Sequence, residues 1–336
     1  MTTNFKGVCM EKIRLGKTGL KVSKVGFGVL TMGATQLNLP LDEGAELIRY
    51  AMDKGINLFD TAQYYKTYKY LRKALDGTNY EPIISSKCLK SSYEQMTEAI
   101  EEARRELNRD VIDIFMLHEL ISVKEYNFRA GALEALVDAK AKGWIRHIGV
   151  STHYVDVAEM IADKIEIEIL FPLINYKGLG IRDNRNFDGV GTSEAMAAAI
   201  KKAALAGKGV FGMKAFGGGN LTGTYRTALD YVYGLPGISA MMIGFGKKRE
   251  IDDIVSYLDG TMLRDYTPDI SKKRIFIDQG DCEGCNACVQ RCPSKAIFVN
   301  ENGLAEVNHD ICLTCGYCAP VCPARAIIMI DKRKSE

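Results

Sequence analysis

The sequence predicts an α/β chain, a (β/α)8 barrel of the TIM type followed by a small C-terminal α+β module. Three observations predict it. Short segments rich in Val, Ile and Phe alternate eight times with amphipathic segments over the first 260 or so residues. The rhythm breaks at a polar, proline-containing stretch, "LRDYTPDISKKR", at 263–274. Beyond it, eight of the chain's ten cysteines fall between 282 and 322.

The predicted strands are 22–28, 56–62, 82–87, 111–118, 145–151, 167–175, 209–216 and 238–245. They are nearly continuous in apolar character, as strands buried on both faces should be. Helical segments follow, among them "DEGAELIRYAMDKG", "YEQMTEAIEEARRELN", "GALEALVDAKAKG" and "SEAMAAAIKKAALAG". Three of these four end in Gly, a common helix stop. Eight such units are the count for a closed barrel; the alternative is an open doubly wound sheet. The expected division is a barrel over 1–262, a linker over 263–273 and a second module over 274–336.

Bulk properties narrow the function classes. A net charge of +2 over 336 residues argues against a nucleic-acid partner. Apolar runs such as "ILFPLI" are too short to span a bilayer. The start, "MTTNFKGVCMEK", has no apolar signal core, so the expectation is a cytoplasmic protein with no membrane partner. In a reducing compartment clustered cysteines serve metal binding or catalysis rather than disulfides.

The cysteines form a duplicated pattern. Cys282-x-x-Cys285-x-x-Cys288-x-x-x-Cys292-Pro recurs thirty residues later as Cys312-x-x-Cys315-x-x-Cys318-x-x-x-Cys322-Pro, followed by "SKAI" and "ARAI". Zinc sites use paired CxxC or Cys/His mixtures, not this spacing. The module resembles a bacterial two-[4Fe–4S] ferredoxin across nearly all of the last 60 residues. The resemblance implies a ferredoxin-like iron–sulfur domain with two [4Fe–4S] clusters, in which the fourth cysteine of each run crosses to the other cluster. One ligand set is then Cys282, Cys285, Cys288 and Cys322, and the other Cys312, Cys315, Cys318 and Cys292. Cys9 and Cys88 are assigned no function.

Chemistry in a barrel sits at the carboxyl ends of its strands. Here those ends read "FDTAQYY", "SSKC" and "MLHE", and they offer Asp60, Tyr64, Tyr65, Lys87 and His118. A phenol is a poor acid at neutral pH, and an ammonium beside it stabilises the phenolate. Asp60 is expected to hold Lys87 in place, and His118 to orient a carbonyl oxygen or relay the proton.

Here the chain resembles an aldo-keto reductase over roughly 11–258, in "IRLGKTGLKVSKVGFG", "GINLFDTAQYY", "IRHIGVST" and "MKAFGGGNL". In that family the tyrosine lies five residues after the aspartate, which selects Tyr65 over Tyr64. The resemblance implies a catalytic tetrad of Asp60, Tyr65, Lys87 and His118. It also implies hydride transfer between NADP(H) and a small aldehyde or ketone, or the corresponding alcohol.

"GKGVFG" at 207–212 matches a dinucleotide fingerprint in letters only, because it closes a helix and precedes a strand. The family binds NADPH without that fingerprint. The matching positions are Gly28, Val29, Leu30, Ser151, Thr152, Asn175, Met213, Lys214, Gly244, Gly246, Lys247 and Arg249. The run Lys247–Arg249, after a strand and at a helix start, suits a 2′-phosphate and so NADP. Three positions depart from the family. Thr152 stands where many members have Asn, Phe171 where they have Gln, and Met213 where an aromatic ring stacks on nicotinamide.

Nicotinamide gives up two electrons as a hydride, whereas each cluster passes one at a time. The fused module could feed a stepwise reduction at the barrel, dock a redox protein partner, or serve as a structural or redox-sensing element. The first expectation is an aldo-keto reductase acting on a small-molecule carbonyl substrate, with a fused ferredoxin for electron transfer. The alternative is an iron–sulfur electron-transfer protein, with or without a flavin, whose barrel is a scaffold or docking surface. The module begins where the family's substrate-determining C-terminal segment lies, at the barrel mouth.

Overall fold

The structure, a computed structural model, describes residues 10–263 and 273–331. Most of the expected linker, and Cys9, lie outside the described residues. A short antiparallel hairpin, β1 (Lys12–Arg14) and β2 (Lys21–Ser23), comes first. Its Leu15 and Val22 pack with Leu58, Ile83, Ile114 and Ile169, near the amino ends of barrel strands, and so plug that end.

Eight parallel strands then close a barrel: β3 (Val25–Gly28), β4 (Leu58–Asp60), β5 (Ile83–Cys88), β6 (Ile112–Leu117), β7 (Ile145–Thr152), β8 (Ile169–Pro172), β9 (Gly209–Met213) and β10 (Ala240–Ile243). Each pairs with its neighbours in sequence, and β10 closes against β3. All eight expected strands are present with small shifts at their ends: the first is divided between β2 and β3, β5 and β7 run one residue further than expected, and the others are shorter.

Side-chain alternation explains both the apolar runs and the site. Ile114 and Met116 of β6 fill the barrel interior, while Phe115 and Leu117 face the helices. The same alternation turns Leu58 inward and Phe59 outward on β4, and Ile83 inward and Ile84 outward on β5. Two-residue steps then carry Asp60, Ser85 and Lys87 to the inner face at the carboxyl ends.

The C-terminal module has two small antiparallel sheets, β11 (Lys273–Ile277) with β14 (Ile327–Asp331), and β12 (Ile297–Val299) with β13 (Ala305–Val307). Its core is Ile275, Ile277, Ala296, Ile297, Ala326 and Ile327, packed around the cysteines. The module sits on the barrel mouth through its second cysteine run. Leu313 is 1% exposed and belongs to the barrel's own core. Thr314 donates from Oγ1 to Gly218 O (2.6 Å), and Asn220 donates to the carbonyls of Asp310 and Cys312.

Two glycines permit this approach. At Gly218 (φ +71°) an added Cβ would stand 2.3 Å from Leu313 O, and at Gly316 (φ +77°) 2.4 Å from Thr35 O. Gly218→Ala should therefore cost about 1–3 kcal/mol and open the module to proteolysis. Gly219→Ala is the control, since that glycine also has positive φ but meets nothing within 4 Å. Thermal unfolding and limited proteolysis check this; equal effects of the two would remove the close-approach argument.

Candidate active site

Asp60, Tyr65, Lys87 and His118 meet at the inner carboxyl rim of β4, β5 and β6. Lys87 Nζ donates to Asp60 Oδ2 at 2.5 Å and to Thr61 O at 2.8 Å, and Ser85 Oγ donates to Asp60 Oδ1 at 3.0 Å. Tyr65 Oη lies 3.4 Å from His118 Nε2, and Lys87 Nζ lies 4.7 Å from the centre of the Tyr65 ring. Buried Arg129 donates to the carbonyls of His118 and Cys88, pinning the ends of β5 and β6.

Burial pushes the Asp60 carboxyl up and the Lys87 ammonium down, and each opposes the shift in the other. The expectation that Lys87 lowers the Tyr65 pKa fails here. Burial, then the Asp60 charge, push that phenol well above its ordinary value. The reason is geometric: two of the ammonium's three donors go to Asp60 and Thr61 O, and its charge is spent on the carboxylate.

Burial, then the charges of Lys87, Arg129 and Arg291, hold His118 well below its ordinary pKa. Its Nδ1 has no hydrogen-bond partner among the described residues. Burial, then Lys214 and Arg291, lower His153 to about 3. Both imidazoles stay neutral in the fold at pH values where the unfolded chain protonates them. Stability is therefore present above about pH 6.5 and is lost as pH falls toward 3, with a limiting slope of about 2.7 kcal/mol per pH unit for two protons. Guanidinium unfolding between pH 7.5 and 5.5 checks this, and His153→Asn should roughly halve the slope.

A cavity of about 580 Å³ opens above these residues. Asp60, Tyr65 and Phe171 form its floor, and Cys312, Leu313 and Thr314 of the module form part of its wall. Of the expected cofactor positions, Gly28, Leu30, Met213, Lys214 and Gly244 line it. Val29, Ser151, Thr152, Asn175, Gly246, Lys247 and Arg249 are not among its lining residues. Ser151 Oγ accepts from Glu119 N, Thr152 Oγ1 donates to Leu120 O, and the Asn175 amide spans both backbone groups of Leu179. At the expected phosphate cradle the Glu250 carboxylate accepts from the N–H groups of Gly246 and Lys247, and Lys248 pairs with Glu46.

Residues outside the barrel reading complete the site. Tyr317 Oη lies 3.0 Å from Tyr65 Oη and 3.1 Å from His118 Nε2. Arg291 makes a two-pronged ion pair with Glu119 at 2.9 and 3.2 Å. Glu119 and Lys214 have positive φ, 54° and 67°, at strand ends, where backbone strain marks positioned side chains. The duplication carried a signal for the module's share. Aligning the runs sets Tyr317 against Ala287, Leu313 against Glu283 and Arg291 against Val321.

In the module, Cys282, Cys285, Cys288 and Cys322 line one small cavity with apolar walls of Ile277, Ala305, Ala326 and Ile327. Three cysteines of the first run thus share a site with the fourth of the second. Burial raises the thiols of Cys312, Cys315 and Cys318, and the nearby charge of Cys292 adds to the rise in each. Among the described residues no three His, Cys, Asp or Glu converge closely enough to hold a single metal ion. Cys282, Cys285, Cys288 and Cys322 ring a space, as a multi-iron group requires. Cys88 is buried and donates its thiol to Gln63 Oε1.

Fold and site define a closed (β/α)8 barrel with a ferredoxin-type module at its mouth. The profile of the aldo/keto reductase family matches residues 24–236, and the chain belongs to that family. The profile of the 4Fe-4S dicluster domain matches residues 275–329. L-galactose dehydrogenase of Arabidopsis thaliana is 28% identical over 191 residues, 53% of this chain and 60% of that protein. Aldo-keto reductase YhdN of Bacillus subtilis is 29% identical over 167 residues, 44% and 48% of the two chains. The chain spans about half the length of the curated relatives it matches. An aldo-keto reductase of Bacillus halodurans, solved in its holo form, has a TM-score of 0.61 at 18% identity, covering 76% of this chain and 92% of the other; this likeness concerns the fold alone. No described helix is long and apolar enough to cross a membrane.

Proposed function

We propose that the barrel reduces a small aldehyde or ketone, or oxidises the corresponding alcohol, with NADP(H), beneath a module that holds two [4Fe–4S] clusters. The observation that carries this reading is the meeting of Tyr65 Oη and His118 Nε2 beside the Asp60–Lys87 pair, where Asp60 and Tyr65 line a large cavity. When bound, the nicotinamide supplies the hydride. Tyr65 hands its proton to the carbonyl oxygen and, once the alcohol has left, the phenolate recovers a proton from solvent; His118, neutral at working pH, holds the carbonyl oxygen by a hydrogen bond from Nε2–H. The Asp60–Lys87 pair fixes the floor against which the phenol rests. The test is aldehyde-dependent oxidation of NADPH by the cluster-loaded chain under anaerobic conditions; no turnover with any small carbonyl would remove the reading.

Glu250 bears on the choice of dinucleotide, because it brings a negative charge to the amides expected to cradle phosphate. Glu250→Gln should tighten NADPH about fivefold and NADH less, the effect of removing one like charge. Equal changes in both Kd values would remove the 2′-phosphate from that loop.

The two cysteine sets support the two clusters, which when bound pass single electrons. A second reading, in which electron transfer is the working function and the barrel a docking surface, draws support from one observation. Tyr317 sits between Cys315 and Cys318 and also touches Tyr65 and His118. Rapid mixing with NADPH tests it, by bleaching of cluster absorbance without an added flavin or carbonyl compound.

A further inference from the structure

The Tyr317 side chain belongs to the barrel although its backbone lies within the second cysteine run. Its ring packs edge-on against Tyr64, with centroids 5.4 Å apart, and the Arg291 guanidinium lies 4.5 Å from its centre. Its hydroxyl meets Tyr65 Oη at 3.0 Å and His118 Nε2 at 3.1 Å. A carbonyl oxygen that takes hydrogen bonds from both groups must stand within about 2.7–3.1 Å of each. Tyr317 Oη, at 3.0 and 3.1 Å, stands in that range of both, and a second oxygen cannot share its place.

We infer that Tyr317 occupies the carbonyl-oxygen position of the tetrad, so that the Cys312–Cys322 half of the module is a lid which substrate displaces, with Tyr317 setting which carbonyl compounds bind. The inference rests on the tetrad reading above. The lid is fastened by Leu313 in the barrel core and by Gln36 Nε2 donating to Thr314 O at 3.2 Å, and Arg291 of the first cysteine run, itself paired with Glu119, lies against the Tyr317 ring. A carbonyl compound that offers only its oxygen merely exchanges with Tyr317 and gains little. One with further surface to fill the cavity gains contacts that Tyr317 does not make, so the device discriminates against the smallest aldehydes.

The experiment uses the full-length, cluster-loaded chain with NADPH and benzaldehyde as probe. Tyr317→Phe keeps the ring and removes both hydrogen bonds. The KM for benzaldehyde should fall about tenfold while kcat stays within about twofold, a split that a purely structural role would not give. An unchanged or raised KM overturns the lid. Iron content is measured on the same sample. If the variant loads poorly, the wild type carries the test: saturating benzaldehyde should speed amide hydrogen exchange across 312–318 about tenfold, and no change overturns the lid. Tyr65→Phe is run in parallel. Full turnover in that variant overturns the tetrad reading, whereas lost turnover with unmoved KM and exchange in the Tyr317 tests overturns the lid alone.

Discussion

Tyr65→Phe is expected to lower kcat for carbonyl reduction by about 10²–10⁴, the worth of a positioned proton donor. The substitution keeps the ring against His118 and Lys87 and removes one hydroxyl. It should leave NADPH binding and iron content unchanged, because the phenol is not a candidate cluster ligand and is only one part of the cavity floor. The phenol's raised pKa sharpens the expectation. Buried beside Asp60, Tyr65 stays protonated across the working range, so it is a proton source and not a phenolate. No fall in rate from tyrosine ionisation is expected below about pH 10. A kcat within twofold of wild type would place the acid elsewhere.

Cys322→Ala is expected to remove one cluster and spare the other. Cys322 lines the same cavity as Cys282, Cys285 and Cys288, thirty or more residues away in sequence. Loss of its thiolate should take iron from about eight to about four per chain. Cys292→Ala should take the same amount from the other site, beside Cys312, Cys315 and Cys318. The two variants should differ in their effect on the barrel. Cys312 and Leu313 wall the cavity, whereas Cys285 is exposed. Carbonyl turnover should therefore change more in Cys292→Ala than in Cys322→Ala. Loss of all iron in both variants would mean that neither site holds its cluster without the other.

The barrel was legible because its strands are buried on two faces and so read as unbroken apolar runs separated by amphipathic helices. β6 shows why, with Ile114 and Met116 inside the barrel and Phe115 and Leu117 outside it. The meeting of Asp60, Lys87 and His118 was legible for a related reason, since a two-residue alternation to the strand ends fixes their side. Side-chain partners at the cofactor positions were not legible. Ser151 and Thr152 end β7 and Asn175 follows β8, yet their polar groups are engaged with nearby backbone, which depends on loop paths that no periodicity encodes. The module's docking was hidden differently. Attention to the cysteines treats the two runs as equivalent, whereas Leu313, Tyr317 and Arg291 break the duplication where the module meets the barrel.

The central claim is that hydride chemistry occurs at the barrel tetrad. Its most direct test is turnover of benzaldehyde with NADPH deuterated at the transferred position, by the anaerobic, cluster-loaded chain. The account predicts one deuterium on the carbinol carbon of the alcohol and loss of that product in Tyr65→Phe. Oxidation of the labelled NADPH with reduced clusters and no deuterated alcohol would contradict it.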